Sequence, residues 1–367
     1  MYRRVAGVGL ALTMLVAGCG HSSSTSQGPA TSSTPVPSVA TSSTRAASAT
    51  SQAARDLPDP HTLRGLTEVP ELPDPKPVEG SSAQKLPVTV TDVEGNKVTI
   101  KSTSRILALD LYGTLSRTLI GLGLGDKIVG RTVSSTEKQL HDRPVVTENG
   151  HVLNVEAVAG LKPSVIIADR SVGPKEALDQ LRKSGIPVVL VDPHRSVGST
   201  PRLIRTIADA VGKPDAGEAL VKRTQEQIDQ AKKQIAAWKP AKPMRVAFLY
   251  VRGNAGVFFI LGSENGASEL IQGVGADDVA SDKGITTLVP ANAESLVSIN
   301  PDAIFVMRDG LASTGGMKGL LARAGVANTT AGRKQRVISI PDGISLSFGP
   351  QTGEVLTAVA KALYGVK

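Results

Sequence analysis

Few residues of this chain have the chemistry to hold a ligand, and their positions are informative. It has four tyrosines. Tyr2 lies in an amino-terminal leader and Tyr364 in a closing helix, which leaves Tyr112 and Tyr250 as candidates. Tyr250 ends the apolar run Phe248-Leu249-Tyr250-Val251-Arg252-Gly253. On a strand, residues two apart share a face, so Arg252 is expected beside the Tyr250 ring. A guanidinium next to a phenol stabilises the phenolate. A phenolate is a hard anion suited to ferric iron, and tyrosinate serves as an axial haem ligand. The same pattern also fits a strand-end tyrosine that simply uses its neighbour as a partner, and the dipeptide alone leaves both readings open. Of the five histidines, His21 and His61 lie in Pro- and Ser-rich sequence and His141 in a helix-like stretch. His151 follows Glu148-Asn149-Gly150 in a loop, and His194 follows a strand in Asp192-Pro193-His194. A loop histidine is as readily a solvated surface residue as a ligand.

The elements that must position these side chains are legible. Residues 86–213 and 240–367 each alternate short apolar runs with amphipathic stretches, as parallel strands covered by helices on both faces do. Between them, Val221, Thr224, Ile228, Ala231, Ile235 and Trp238 form one apolar stripe at helical spacing. Residues 214–239 are therefore expected to form a single long connecting helix, with Asp215 as its N-cap and Glu218 completing a capping box. The fold expected is α/β, with two Rossmann-like lobes on central parallel sheets and a ligand cleft between them.

The amino terminus reads differently. Arg3 and Arg4 precede the apolar run Val5–Val16 and then Val16-Ala17-Gly18-Cys19, so residues 1–18 are expected to be a secretory signal. Cys19 is the chain's single cysteine, so an intrachain disulfide or a thiolate metal cluster is excluded. Residues 19–85 divide into a Ser/Thr/Ala/Pro-rich tether, too poor in large apolar groups to fold alone, and a Pro-rich arm. In the arm Leu57-Pro58-Asp59-Pro60 is echoed by Leu72-Pro73-Asp74-Pro75. Whether the arm lies on the first lobe is left open by its sequence. The net charge of +8 is scattered and aromatics make up only 3%, which argues against nucleic-acid binding. The common hydrolase, nucleotide and metalloprotease motifs are missing. Gly121-Leu122-Gly123-Leu124-Gly125 ends a helix instead of following a strand, so it reads as a helix stop.

Each lobe carries one copy of a short repeat. Asn154-Val155-Glu156 with Leu161-Lys162-Pro163-Ser164-Val165-Ile166 recurs as Asn292-Ala293-Glu294 with Ile299-Asn300-Pro301-Asp302-Ala303-Ile304. Both read as an Asn-capped helix, a turn and a buried strand. Together with the Val-Ala-Gly-Cys19 lipobox and the connecting helix, these elements make the chain resemble the helical-backbone (class III) substrate-binding lipoproteins of ABC transporters. The resemblance implies that Glu156 and Glu294 dock onto arginines of the permease, although an acidic residue in a first helical turn is also favoured by the helix dipole. It implies too that Cys19 is lipidated, placing an exported protein on the outer face of the cytoplasmic membrane.

The stretch Thr147–Glu156, with Tyr250-Val251-Arg252-Gly253, Leu109-Asp110-Leu111-Tyr112-Gly113 and Phe348-Gly349-Pro350, is similar to the HmuT family of haem-binding lipoproteins of actinobacterial haem uptake. That resemblance implies haem b as the transported ligand, with His151 and Tyr250 as axial iron ligands from opposite lobes. Arg252 would hydrogen-bond the tyrosine oxygen. It further implies a monomer that meets permease subunits and upstream cell-surface haem-binding proteins. A ferric siderophore or a corrinoid is the alternative cargo for the same fold. The family carries arginine after the Phe-Gly-Pro element where this chain has Gln351, which puts in question any propionate or permease role at that position.

Overall fold

The computed structural model describes residues 57–80, 83–253 and 256–367. The expected leader (1–18), lipidation at Cys19 and Ser/Thr-rich tether lie outside the described residues. Among the described residues, no helix is long and apolar enough to cross a membrane. The Pro-rich arm is built into the fold and contains strand β1 (Leu66–Glu68).

The first lobe opens with the hairpin β2 (Val88–Thr91) and β3 (Lys97–Ile100). It continues through β4 (Ile106–Leu109), α1 (Thr114–Gly121), β5 (Ile128–Gly130), β6 (Thr147–Glu148), β7 (Val152–Leu153), α2 (Val155–Gly160), β8 (Val165–Ala168), α3 (Lys175–Lys183), β9 (Val188–Leu190) and α4 (Thr200–Ala210). The parallel sheet runs β5-β4-β8-β9. Alternate side chains of β4 serve different cores. Ile106 and Ala108 join the cluster under α1 and α4, whereas Leu107 and Leu109 join the one under α2 and α3. A strand buried on both faces must be apolar throughout, which is why these runs show no polar alternation.

Helix α5 (Pro214–Trp238) is the connecting helix. Its buried stripe takes in Leu220, Val221, Thr224, Ile228, Ala231 and Ile235. Leu220 and Val221 belong to the first lobe's core, Ala231 and Ile235 to the second's. Each such large aliphatic side chain contributes about 1.5–3 kcal/mol on burial, so one helix is fastened to both lobes. The start of the helix differs from expectation. Pro214 occupies the first helical position, where a missing N–H costs nothing, and Lys213 precedes it. Glu218 reaches Arg205 at 2.6 and 3.0 Å instead of closing a capping box.

The second lobe contains β10 (Arg245–Arg252), β11 (Val257–Ile260), α6 (Ala267–Gly273), β12 (Asp277–Asp278), β13 (Val289–Pro290), α7 (Ala293–Ile299), β14 (Ala303–Met307), α8 (Arg308–Ser313), β15 (Val337–Ile340), α9 (Asp342–Ser345) and α10 (Thr352–Tyr364). Its sheet runs β1-β15-β14-β10-β11-β13, with β12 also on β10. It is mixed, not wholly parallel: β10–β11 and β11–β13 pair antiparallel, as a connection of only four residues between β10 and β11 requires.

The arm corrects the expected division at residue 85. Strand β1 extends the second lobe's sheet by pairing parallel to β15. The chain then crosses to the first lobe. Asp74 accepts from the Lys138 and Gln139 amides at 2.8 and 2.9 Å, Arg223 of α5 donates to Lys76 O at 2.7 Å, and Val78 N donates to Gly121 O at 2.9 Å. Backbone pairing carries little side-chain signature, so the sequence could not announce this.

Candidate functional site

The lobes meet at the carboxyl ends of their parallel strands, the usual ligand edge of an open α/β sheet. Past β4, the Thr114 hydroxyl donates to Ser347 O beyond β15. Arg117 of α1 donates from Nε to Gly343 O at 3.2 Å and from Nη1 to Gln351 Oε1 at 2.8 Å. The start of α1 and residues 343–351 are therefore where the two lobes touch.

On the second-lobe side, β10 alternates as its spacing demands. Ala247, Leu249 and Val251 face one core, while Phe248 and the half-buried Tyr250 face the other. Tyr250 and Arg252 thus share a face, and the Arg252 guanidinium carbon lies 5.1 Å from the Tyr250 ring centroid. Arg252 Nη2 donates to Asp342 Oδ1 at 2.5 Å and approaches Met307 Sδ at 3.4 Å. Burial works against the Arg252 charge, but Asp342, and after it Tyr250, hold its pKa above the ordinary value. The expected Tyr–Arg pair is present. Sequence reasoning missed its third member, Asp342, which lies ninety positions further on with nothing local to connect it to Arg252.

On the first-lobe side, His151 occupies the β6–β7 hairpin, whose tight turn uses positive φ at Asn149 and Gly150. Its backbone is fixed, with Gly173 N donating to His151 O at 2.9 Å and Leu153 N to Gly173 O at 2.7 Å. The imidazole is exposed and has no partner among the described residues. It makes no hydrogen bond, ion pair or ring contact with Tyr250 or Arg252. The other loop histidine, His194, is exposed and engaged locally, with Nδ1 2.8 Å from Asp192 Oδ1.

A second Tyr–Arg contact lies in the first lobe. Arg195 sits 5.5 Å from the Tyr112 ring centroid and binds two buried carboxylates, Asp169 by a hydrogen bond and Asp110 at 3.6 Å. Asp110 Oδ2 also accepts from Thr114 N at 2.9 Å, at the start of α1. Burial, with a lesser push from Asp169, raises the Asp110 pKa from 3.8 to about 7. Burial likewise raises Asp169, and it raises Tyr112 with Asp169 adding to the effect.

Glu156 and Glu294 occupy equivalent places. Each is exposed in the first turn of its helix, α2 or α7, and has no ion-pair partner among the described residues. The Asn154 and Asn292 side chains cap these helices by accepting from Ala157 N at 2.9 Å and Ser295 N at 2.8 Å. Gln351 is buried. Besides accepting from Arg117, it donates to Pro73 O at 2.9 Å and Glu354 Oε2 at 3.1 Å. It joins the first lobe, the arm and the last helix, and it is not a surface contact.

The sequence profile described as "periplasmic binding protein" matches residues 111–343. Crystal structures of the haem-binding protein HmuT superpose with a TM-score of 0.83 at 49% identity, covering 84% of this chain and 100% of the other. They include variants in which a histidine, a tyrosine or an arginine is replaced by alanine. The periplasmic haem-binding protein RhuT from Roseiflexus sp. RS-1 superposes with a TM-score of 0.67 at 32% identity, covering 72% of this chain and 99% of that one. Among sequence relatives, the ABC-transporter substrate-binding lipoprotein YvrC of Bacillus subtilis strain 168 is 27% identical over 280 residues, 76% of this chain and 86% of YvrC.

Proposed function

Because the chain belongs to the periplasmic binding protein family, we propose that it is an extracytoplasmic haem-binding lipoprotein that captures haem and delivers it to an ABC importer. In this reading Cys19 carries the lipid that holds it at the outer face of the cytoplasmic membrane, and haem b is cargo. Tyr250 and His151 take the iron from opposite lobes, and Arg252 tempers the donation of the phenolate. Glu156 and Glu294 present one exposed carboxylate per lobe to the permease. The observation that carries the reading is the Tyr250–Arg252 pair at the carboxyl end of β10, with an exposed and unengaged His151 in the other lobe. It is supported by a correspondence of spacing. The histidine, tyrosine and arginine replaced in the HmuT variants stand at the same sequence separations as His151, Tyr250 and Arg252.

Titration with hemin tests it. The unmodified chain should give a Soret band of a six-coordinate ferric complex. Tyr250→Ala should lose affinity by more than about a hundredfold, since changing even an outer-sphere partner costs roughly 10–100-fold. His151→Ala should retain a five-coordinate tyrosinate complex. An unchanged spectrum in Tyr250→Ala would overturn the site. Binding of a ferric chelate or corrinoid with no response to hemin would overturn the cargo.

A further inference from the structure

We propose that Asp342 is the positioning residue of the iron site: it holds the Arg252 guanidinium against Tyr250, and without it that guanidinium no longer governs the phenolate. The proposal rests on the haem reading for its spectroscopic consequence, but its geometry stands on the chain alone.

Arg252 ends a strand and has a long, flexible side chain, so proximity to Tyr250 in sequence does not keep its guanidinium over the ring. The surroundings restrict it from three sides. Below lies Gly310, where a Cβ would come within 2.7 Å of Arg252 Nη1 and 2.5 Å of Val251 O. Met307 closes another side, with its sulfur 3.4 Å from Nη2. The strong directional contact is the 2.5 Å bond to Asp342 Oδ1, a charge-assisted hydrogen bond that fixes orientation as well as distance.

Asp342 is itself held. Its other oxygen accepts from Asp309 N at 2.8 Å at the start of α8. The carbonyl oxygen of the next residue, Gly343, accepts from Arg117 Nε of the first lobe at 3.2 Å. A side chain at 343 would collide with Thr136, because a Cβ there would lie 1.9 Å from Thr136 Oγ1. The carboxylate that orients Arg252 is thus pinned between α8 and the opposite lobe. Arg252 Nη1 is buried and makes no hydrogen bond among the described residues, so Asp342, through Nη2, is the carboxylate that sets the angle of the guanidinium.

The sign of the effect separates positioning from charge alone. Removing a nearby carboxylate, with Arg252 left in place, would strengthen the pull of the guanidinium on the phenolate and weaken its donation to iron. Losing the position of Arg252 does the opposite and mimics Arg252→Ala. The test compares hemin complexes of Arg252→Ala, Asp342→Ala, Asp342→Asn and the double Arg252→Ala/Asp342→Ala chain. Asp342→Ala should shift the phenolate-to-iron charge-transfer band in the same direction as Arg252→Ala and slow haem transfer to excess apomyoglobin by up to about tenfold. Asp342→Asn keeps an acceptor and should shift it less. The double variant should go no further than Arg252→Ala, because Asp342 acts through Arg252. A shift in the opposite direction, no shift, or an added shift in the double variant overturns the proposal. If hemin gives the unmodified chain no tyrosinate band, the haem reading fails separately. A crystal structure of ligand-free Asp342→Ala then decides: the Arg252 guanidinium should leave its place over the Tyr250 ring, and a guanidinium still held about 5.1 Å from the ring centroid would refute the proposal.

Discussion

Each lobe places an arginine over a tyrosine ring, at 5.5 Å for Arg195 on Tyr112 and 5.1 Å for Arg252 on Tyr250, yet the two pairs are not equivalent. Arg195 is buried and committed to Asp169, Asp110 and the Asp192 carbonyl. Two carboxylates outnumber one guanidinium, so burial and Asp169 push the Tyr112 phenol up despite the cation beside it. Arg252 answers to a single carboxylate, Asp342, and both side chains keep partial contact with solvent. A Tyr–Arg contact is therefore not diagnostic by itself. The number of anions sharing the guanidinium, and how deeply they are buried, separates a structural clamp from a site able to favour a phenolate.

The largest difference should appear in stability. Arg195→Ala leaves two buried carboxylates uncompensated at the first sheet's edge, and urea unfolding should show a loss of about 3–5 kcal/mol. Arg252→Ala breaks a partly solvated pair and should cost no more than about 2 kcal/mol. Equal losses would erase the distinction between clamp and site.

A smaller effect is expected with pH. Asp110 faces Asp169 and Arg195 and accepts from Thr114 N. Its folded pKa of about 7 exceeds the ordinary 3.8, so between those values the folded chain holds a proton that the unfolded chain releases. Its contribution to stability is complete below the ordinary value and lost as pH rises through about 7. Unfolding free energies measured at mildly acidic and mildly alkaline pH should fall with rising pH, and Asp110→Asn should flatten that fall. An unaltered slope in the variant would place the titration elsewhere.

The smallest effect belongs to the Tyr112 hydroxyl, which has no hydrogen-bond partner among the described residues. Tyr112→Phe should change stability by no more than about 0.5 kcal/mol and leave the hemin spectrum as it is. A lost or shifted Soret band would make the first-lobe pair part of the iron site.

Much of the architecture follows from local rules that any stretch of chain must obey. The strands of both lobes, the stripe of α5 and the common face of Tyr250 and Arg252 come from backbone periods of 2 and 3.6, which sequence spacing displays directly. The repeated Asn-x-Glu turns are visible for the same reason, since a cap and a first-turn carboxylate act within four residues. Side-chain pattern could not decide which surfaces meet. Strand β1 joins the second lobe through backbone hydrogen bonds that any sequence can make. Gln351 is buried by the convergence of the arm, α1 and α10, although its neighbours in sequence look like surface. Asp110, Asp169 and Arg195 come from beyond the ends of three different strands, and Asp342 reaches Arg252 from the start of helix α9. These partners are set by long-range packing, because a charge–charge contact depends on distance in space, and periodicity along the chain carries no record of it.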